Sequence, residues 1–391
     1  MLQCSILLPD WKTMPNLLTE MLSKATRLTR TGQLMEATKL IQQVLKKPET
    51  AQPSPHPAAN DPVLSLPVPP GEAERPNPEP AVEDSPDLFP ETLVQPEAIQ
   101  AAQFTEGEFS FEGLQYPYRL FVPTRPLVSS GKTGTMPLIV LLHGCTQNAE
   151  DFAIGTDMNA LAEQRQCMVL YPEQTNQANV RRCWNWFEPG HQQRGRGEPG
   201  MIAAMTQQVL DSHPEADASR VYIAGLSAGG AMAALVAGQH ADMFAAVGVH
   251  SGLQAGAARD LASAFGAMRN GATGQASPPL PTIVFHGTAD QTVHPDNGQY
   301  VSDAAQAAFS ASGVSLTERR TDVRAPGEAL AERISFDGDG GRSYVEYWRV
   351  DAGPHAWSGG KAAGSFTAPD GPAASAAMLA FFLQHRQRSR A

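Results

Sequence analysis

Three side chains in this 391-residue chain, Ser227, Asp290 and His355, have the types needed to break an acyl bond. A serine hydroxyl is a poor nucleophile until a base takes its proton, and that base must be held in one tautomer by a third group. Ser227 sits in Gly225-Leu226-Ser227-Ala228-Gly229, a G-x-S-x-G pattern. Val221–Ala224 before it are apolar and β-prone, and the alanine-rich sequence through Gln239 reads as a helix. A sharp strand-to-helix turn brings positions 225 and 229 so close to their neighbours that a side chain would clash. It also lifts the hydroxyl above the sheet and puts the Ala228 N–H where an oxyanion would form. Alone, the pentapeptide is equally a small-residue turn. The strand before it and the helix after it favour the nucleophile.

Downstream, the strand Thr282–Phe285 runs into His286-Gly287-Thr288-Ala289-Asp290. An acid just past a strand end suits the orienting role, and Asp290 is the choice, with Asp296 and Asp351 as runners-up. Asp351 lies too few residues before the base to reach round to its imidazole. The base is His355, in the Gly/Pro loop after the strand Tyr344–Val350. His286 and His294 compete for that role, but both lie in the acid's own loop. An oxyanion needs a second N–H beside that of Ala228. His143-Gly144-Cys145 follows the strand Pro137–Leu142, so the Cys145 amide is expected to supply it, with His143 in the same loop.

These residues need a scaffold of alternating strands and helices. Phe104 onward alternates as a β-hairpin through GEFSFEG and YPYRLFVP, placed at a sheet edge. Pro137–Leu142, Cys167–Tyr171, Phe244–Val249, Thr282–Phe285 and Tyr344–Val350 read as strands. Helices are expected over Met158–Arg165, Pro199–His213, Asn297–Ser310 and Ala373–His385. Arg181–Gly200, containing CWNWF, reads as a loop. The expected class is α/β: a mostly parallel sheet with helices on both faces.

Composition bounds the rest. Fourteen of the 32 prolines fall between Pro48 and Pro96, in an acidic stretch. Residues 48–103 are therefore expected to be a disordered linker, and 104–391 the globular domain. Residues 1–47 read as a helical arm. Its basic, amphipathic 15–47 segment would suit a polymer-granule surface, a protein partner or the chain's own domain. The net charge of −11 argues against nucleic acid. No apolar run is long enough for a transmembrane helix. No signal peptide is readable at the N-terminus, which implies a cytoplasmic chain, with an extracellular one as the alternative.

LLHGCTQNAEDF, VLYPEQ, CWNWF, VYIAGLSAGGAMAA, HGTADQTVHPDNG and GPHAWSGG together resemble the polyhydroxybutyrate depolymerase-type esterases, which are related to feruloyl and acetylxylan esterases. The resemblance covers roughly Phe109 to Phe382. It implies an α/β-hydrolase fold, no metal or other cofactor, and a triad at Ser227, Asp290 and His355. It further suggests that Trp184, Trp186 and Trp357 lie near the acyl cleft, with core packing the other reading. The expected activity is serine carboxylester hydrolysis on short hydroxyalkanoate esters or polyesters. Feruloyl or acetylxylan ester hydrolysis is the alternative. A granule- or partner-binding protein with vestigial catalysis is a third reading. Cys145 and Cys183 flank HGC and CWNWF, two segments expected to meet above the sheet. They would form a disulfide under oxidising conditions or remain free thiols in a cytoplasmic protein.

Overall fold

The computed structural model describes residues 99–126, 136–324 and 329–387, all within one unit, Glu97–Ala391. The arm at 1–47 and most of the linker lie outside the described residues. The strands in chain order are β1 (Ile99–Gln100), β2 (Gln103–Phe111), β3 (Leu114–Val122), β4 (Arg125–Pro126), β5 (Met136–Leu142), β6 (Met168–Pro172) and β7 (Ala216–Leu226). There follow β8 (Ala246–His250), β9 (Thr282–Gly287), β10 (Thr317–Val323), β11 (Ala331–Asp337), β12 (Ser343–Val350), β13 (Trp357–Ser358) and β14 (Thr367–Ala368). The helices are α1 (Ala149–Thr156), α2 (Met158–Arg165), α3 (Gly197–Ser212), α4 (Ala228–Gln239), α5 (Leu261–Asn270), α6 (Asp296–Ala311) and α7 (Ala374–Phe382).

Ten strands form one sheet in the order β10-β11-β12-β9-β8-β7-β5-β6-β3-β2. The six central strands from β12 to β6 run parallel. Antiparallel strands finish both edges. This is the α/β-hydrolase architecture expected from the sequence. Every side chain of β5 is buried, because helices cover both faces. Leu138, Val140 and Leu142 join the core on one side and Ile139 and Leu141 the core on the other, as the two-residue period of a strand requires.

The edge hairpin forms as read, and its turn explains its register. Glu112 and Gly113 both have positive φ (47° and 81°), the geometry of a tight two-residue hairpin turn that matches strand twist. Three differences from the sequence reading stand out. Pairing begins at β1, which lies inside the stretch read as linker and joins β4. The strand before Ser227 starts at Ala216 rather than Val221. The strands β10 and β11 were not anticipated. β10 is TERRTDV, exposed on both faces except at Val323, so it carries no apolar alternation. Its charges suit an edge strand that must not recruit another chain.

Candidate active site

The end of β7 delivers Ser227 with φ 58° and ψ −120°, a backbone conformation that costs a non-glycine residue about 1–3 kcal/mol. The sharp turn is enforced by close packing. A Cβ on Gly225 would meet the Gly229 backbone and the Leu142 carbonyl, and one on Gly229 would meet the carbonyls of Leu142 and His143. The Ser227 N–H donates to the His250 carbonyl at the end of neighbouring β8 (2.9 Å), which stabilises the turn.

Asp290 follows β9 and His355 follows β12. Their loops are latched backbone to backbone: the Thr288 N–H donates to Val350 O (2.9 Å) and the Ala289 N–H to Gly353 O (3.1 Å). The latch brings His355 Nδ1 within 2.7 Å of Asp290 Oδ2. Asp290 Oδ1 accepts from the N–H groups of Thr292 and Val293, both at 2.9 Å. Burial by itself would raise this carboxyl's pKa. Donation from His286 and His355, then from Val293, outweighs burial and holds it well below the ordinary carboxylate range. The group is therefore an anion, and His355 Nδ1 donates to it.

The runners-up are placed elsewhere. Asp351 is exposed, and Asp296 sits beside His294 (3.5 Å) on the surface. His286 does reach Asp290 (3.4 Å), but it is buried and its Nε2 lies 3.0 Å from Val293 O, inside the acid loop. A cavity of about 600 Å³ opens beside that loop, with His286, Asp290, Tyr347 and Arg349 in its walls and neither Ser227 nor His355.

Above β5, the Gly144 N–H is taken by Gln147 Oε1 (2.9 Å). Among the described residues, the amides of Cys145 and Ala228 have no hydrogen-bond acceptor. These are the two N–H groups proposed from the sequence for the oxyanion. The Cys145 turn is tied down from several sides. Cys145 and Cys183 are joined by a disulfide. The Thr146 N–H donates to Arg181 O (2.7 Å), and Gln147 Nε2 donates to Asp151 and to Ser365 O, both at 3.0 Å.

His143 and the three tryptophans are all buried. His143 is fully buried, accepting at Nε2 from the Gln174 N–H (3.0 Å) and donating from Nδ1 to Gly144 O (2.7 Å). Burial lowers its pKa to about 4, so the ring is a neutral strut under the turn. Trp184 is also fully buried and donates its indole N–H to His143 O (3.1 Å). Trp357 is buried between Phe152 and His250 and donates to Ser375 Oγ (2.9 Å). Trp186 is 5% exposed and packs on Phe187. Trp184 and Trp186 join the core on one side of the sheet and Trp357 the core on the other, which is the packing reading of these rings.

Sequence reasoning missed the polar struts. Buried Glu198 accepts from Gln174 Nε2, Asn185 N and Asn185 Nδ2, each at 2.6 Å. Burial raises its pKa, and His191 with these donors limits the rise. Gln174 Nε2 also donates to Cys183 O (3.1 Å), so this network holds the CWNWF loop beside the HGC turn. No spacing rule marks such residues. Their partners come from distant segments.

The fold is that of the α/β-hydrolases. Residues 118–306 match the family model described as "Esterase PHB depolymerase". Poly(3-hydroxyalkanoate) depolymerase C of Paucimonas lemoignei is 36% identical over 185 residues, 44% of this chain and 44% of that protein. Feruloyl esterase B of Thermothelomyces thermophilus is 30% identical over 223 residues, 52% of this chain and 74% of that protein. The chain thus spans less than half the length of the depolymerase and about three quarters of the feruloyl esterase. Among solved structures, an acetyl xylan esterase from Aspergillus awamori shares the fold, with a TM-score of 0.50 and 18% identity over 64% of this chain and 94% of that one. The chain belongs to the esterase PHB depolymerase family, a family of carboxylic ester hydrolases. No helix among the described residues is long and apolar enough to cross a membrane.

Proposed function

We propose that the chain is a serine carboxylester hydrolase in which Ser227 is the nucleophile, His355 the base and Asp290 its orienting acid. The observation that carries this reading is the 2.7 Å bond from His355 Nδ1 to Asp290, which leaves Nε2 for the serine proton. His355 takes that proton as Ser227 Oγ bonds to the carbonyl carbon, and the carbonyl electron pair moves onto oxygen. The N–H groups of Cys145 and Ala228 hold the oxyanion, each worth about 2.7–4 kcal/mol in the transition state. As the intermediate collapses, the proton passes to the departing alkoxide. Water then cleaves the acyl-enzyme by the same route.

The substrates in this reading are short hydroxyalkanoate esters or polyesters, supported by the higher identity to the depolymerase than to the feruloyl esterase. The Cys145–Cys183 disulfide supports action in an oxidising compartment, in place of the cytoplasmic reading of the sequence. Whether residues 15–47 meet a granule or a protein partner belongs to this proposal as well.

Replacing Ser227 by Ala should abolish turnover of p-nitrophenyl butyrate in a folded protein and prevent labelling by a fluorophosphonate. Undiminished turnover would overturn the assignment. Parallel rates on 3-hydroxybutyrate oligomers and methyl ferulate decide the substrate. A preference for the ferulate would replace the hydroxyalkanoate reading.

A further inference from the structure

His250 ends β8, the strand between those that carry Ser227 and Asp290, and it has no role in the chemistry above. Its main-chain carbonyl accepts the Ser227 N–H at 2.9 Å. Its imidazole Nε2 lies 3.0 Å from the N–H of Ser358, three residues beyond His355. A backbone N–H can only donate, so Nε2 is the acceptor and the ring proton sits on Nδ1. There it meets Ser251 Oγ at 3.2 Å. The ring is 1% exposed and stacked between two aromatics. One is Phe285, on the strand leading to Asp290 (5.7 Å), and the other is Trp357, two residues past His355 (4.9 Å).

We propose that His250 is a positioning residue that sets the spacing between Ser227 and the His355 loop, with its carbonyl holding the former and Nε2 the latter. This rests on the triad reading above. An apolar side chain would fill the same slot but leave the Ser358 N–H buried without an acceptor. A general filler needs no lone pair aimed at the base loop, and this residue has one. Burial, with His286 and His355 nearby, lowers the ring's pKa to about 3, so the lone pair on Nε2 persists at neutral pH.

Three substitutions separate positioning from packing. H250F keeps the stacking surface and loses the acceptor. H250Q places an amide oxygen near the position of Nε2. H250N is also polar but reaches only the Nδ1 position, short of Ser358. We expect H250F and H250N to lower kcat about tenfold to a hundredfold, because small misplacement of a catalytic group is that costly. KM for p-nitrophenyl butyrate should stay within about twofold. H250Q should recover most of kcat. Rates are taken per serine titrated with a fluorophosphonate, so loss of folded protein does not count as loss of kcat. If H250F fails to fold, the comparison of Gln with Asn carries the test. Equal kcat for H250Q and H250N, or wild-type kcat in H250F or H250N, overturns the proposal. Retained turnover in S227A would instead overturn the triad reading on which it rests.

Discussion

His355 donates from Nδ1 to Asp290 Oδ2 over 2.7 Å, although 65 residues separate the two in the chain. Strand adjacency explains the meeting: β9 and β12 are parallel neighbours, paired from Val345↔Thr282 to Val350↔Gly287, so their following loops leave the same edge side by side. A Cβ on Gly287 would run into the Gly353 backbone, so the two loops touch without intervening side chains.

That relationship separates the acid from its runner-up. Asp290→Asn should lower kcat by about 10³–10⁴-fold, since the amide can stabilise the wrong imidazole tautomer. Asp351→Asn should stay within about threefold, because Asp351 is exposed and bonds to neither His355 nor Ser227. Steady-state kinetics on p-nitrophenyl butyrate decides, and comparable losses would mean that the acid is misassigned.

The turn at Ser227 makes a steric prediction. Gly229→Ala places a methyl group against the Leu142 and His143 carbonyls, which belong to the buried strand β5 and the turn after it. Overpacking against backbone of this kind should cost about 1–3 kcal/mol or more. Thermal unfolding should show a lowered Tm together with loss of activity. An unchanged Tm would mean that the strand relaxes freely.

Cys145→Ser with Cys183→Ser removes the covalent tie on the turn carrying the Cys145 amide. The bridge closes a 38-residue separation, so stability should fall by about 2–4 kcal/mol. In the assigned oxyanion role kcat should fall more than KM changes. A double mutant with wild-type kcat would show that Gln147, Thr146 and the Glu198 network hold the turn unaided.

Buried neutral histidines make stability pH-dependent. The ring of His385 packs against Phe381, and burial followed by Arg342 lowers its pKa to about 4. An unfolded histidine titrates near ~6.5, so between these values the unfolded chain binds protons that the fold refuses. The contribution is complete above ~6.5 and is lost as pH falls toward about 4. His143 and His250 act in the same direction. Asp290 does not enter this window, because its depressed carboxyl loses its contribution only below the ordinary carboxylate range, ~3.9. His385→Phe should flatten the fall in denaturation midpoint between pH 7 and pH 5. A slope identical to wild type would exclude His385 from the linkage.

Much of this protein is local in origin and so was readable along the chain. The G-x-S-x-G turn, the β-hairpin and the buried strands follow from steric limits and from two-residue periodicity acting over a few positions. The identity of Asp290 and His355 as candidates came from their place just after strands. Tertiary structure decided which candidates meet. It paired His355 with Asp290 rather than Asp351 through a parallel strand register that no local pattern records. It turned Trp184, Trp186 and Trp357 into core struts, because full burial of a ring depends on what packs around it. It also engaged Gly144 with Gln147, leaving Cys145 as the amide without an acceptor. The buried polar residues Glu198, Gln174 and His250 were invisible for the same reason. A polar side chain is tolerable inside only when partners from remote segments satisfy it, and folding alone assembles them.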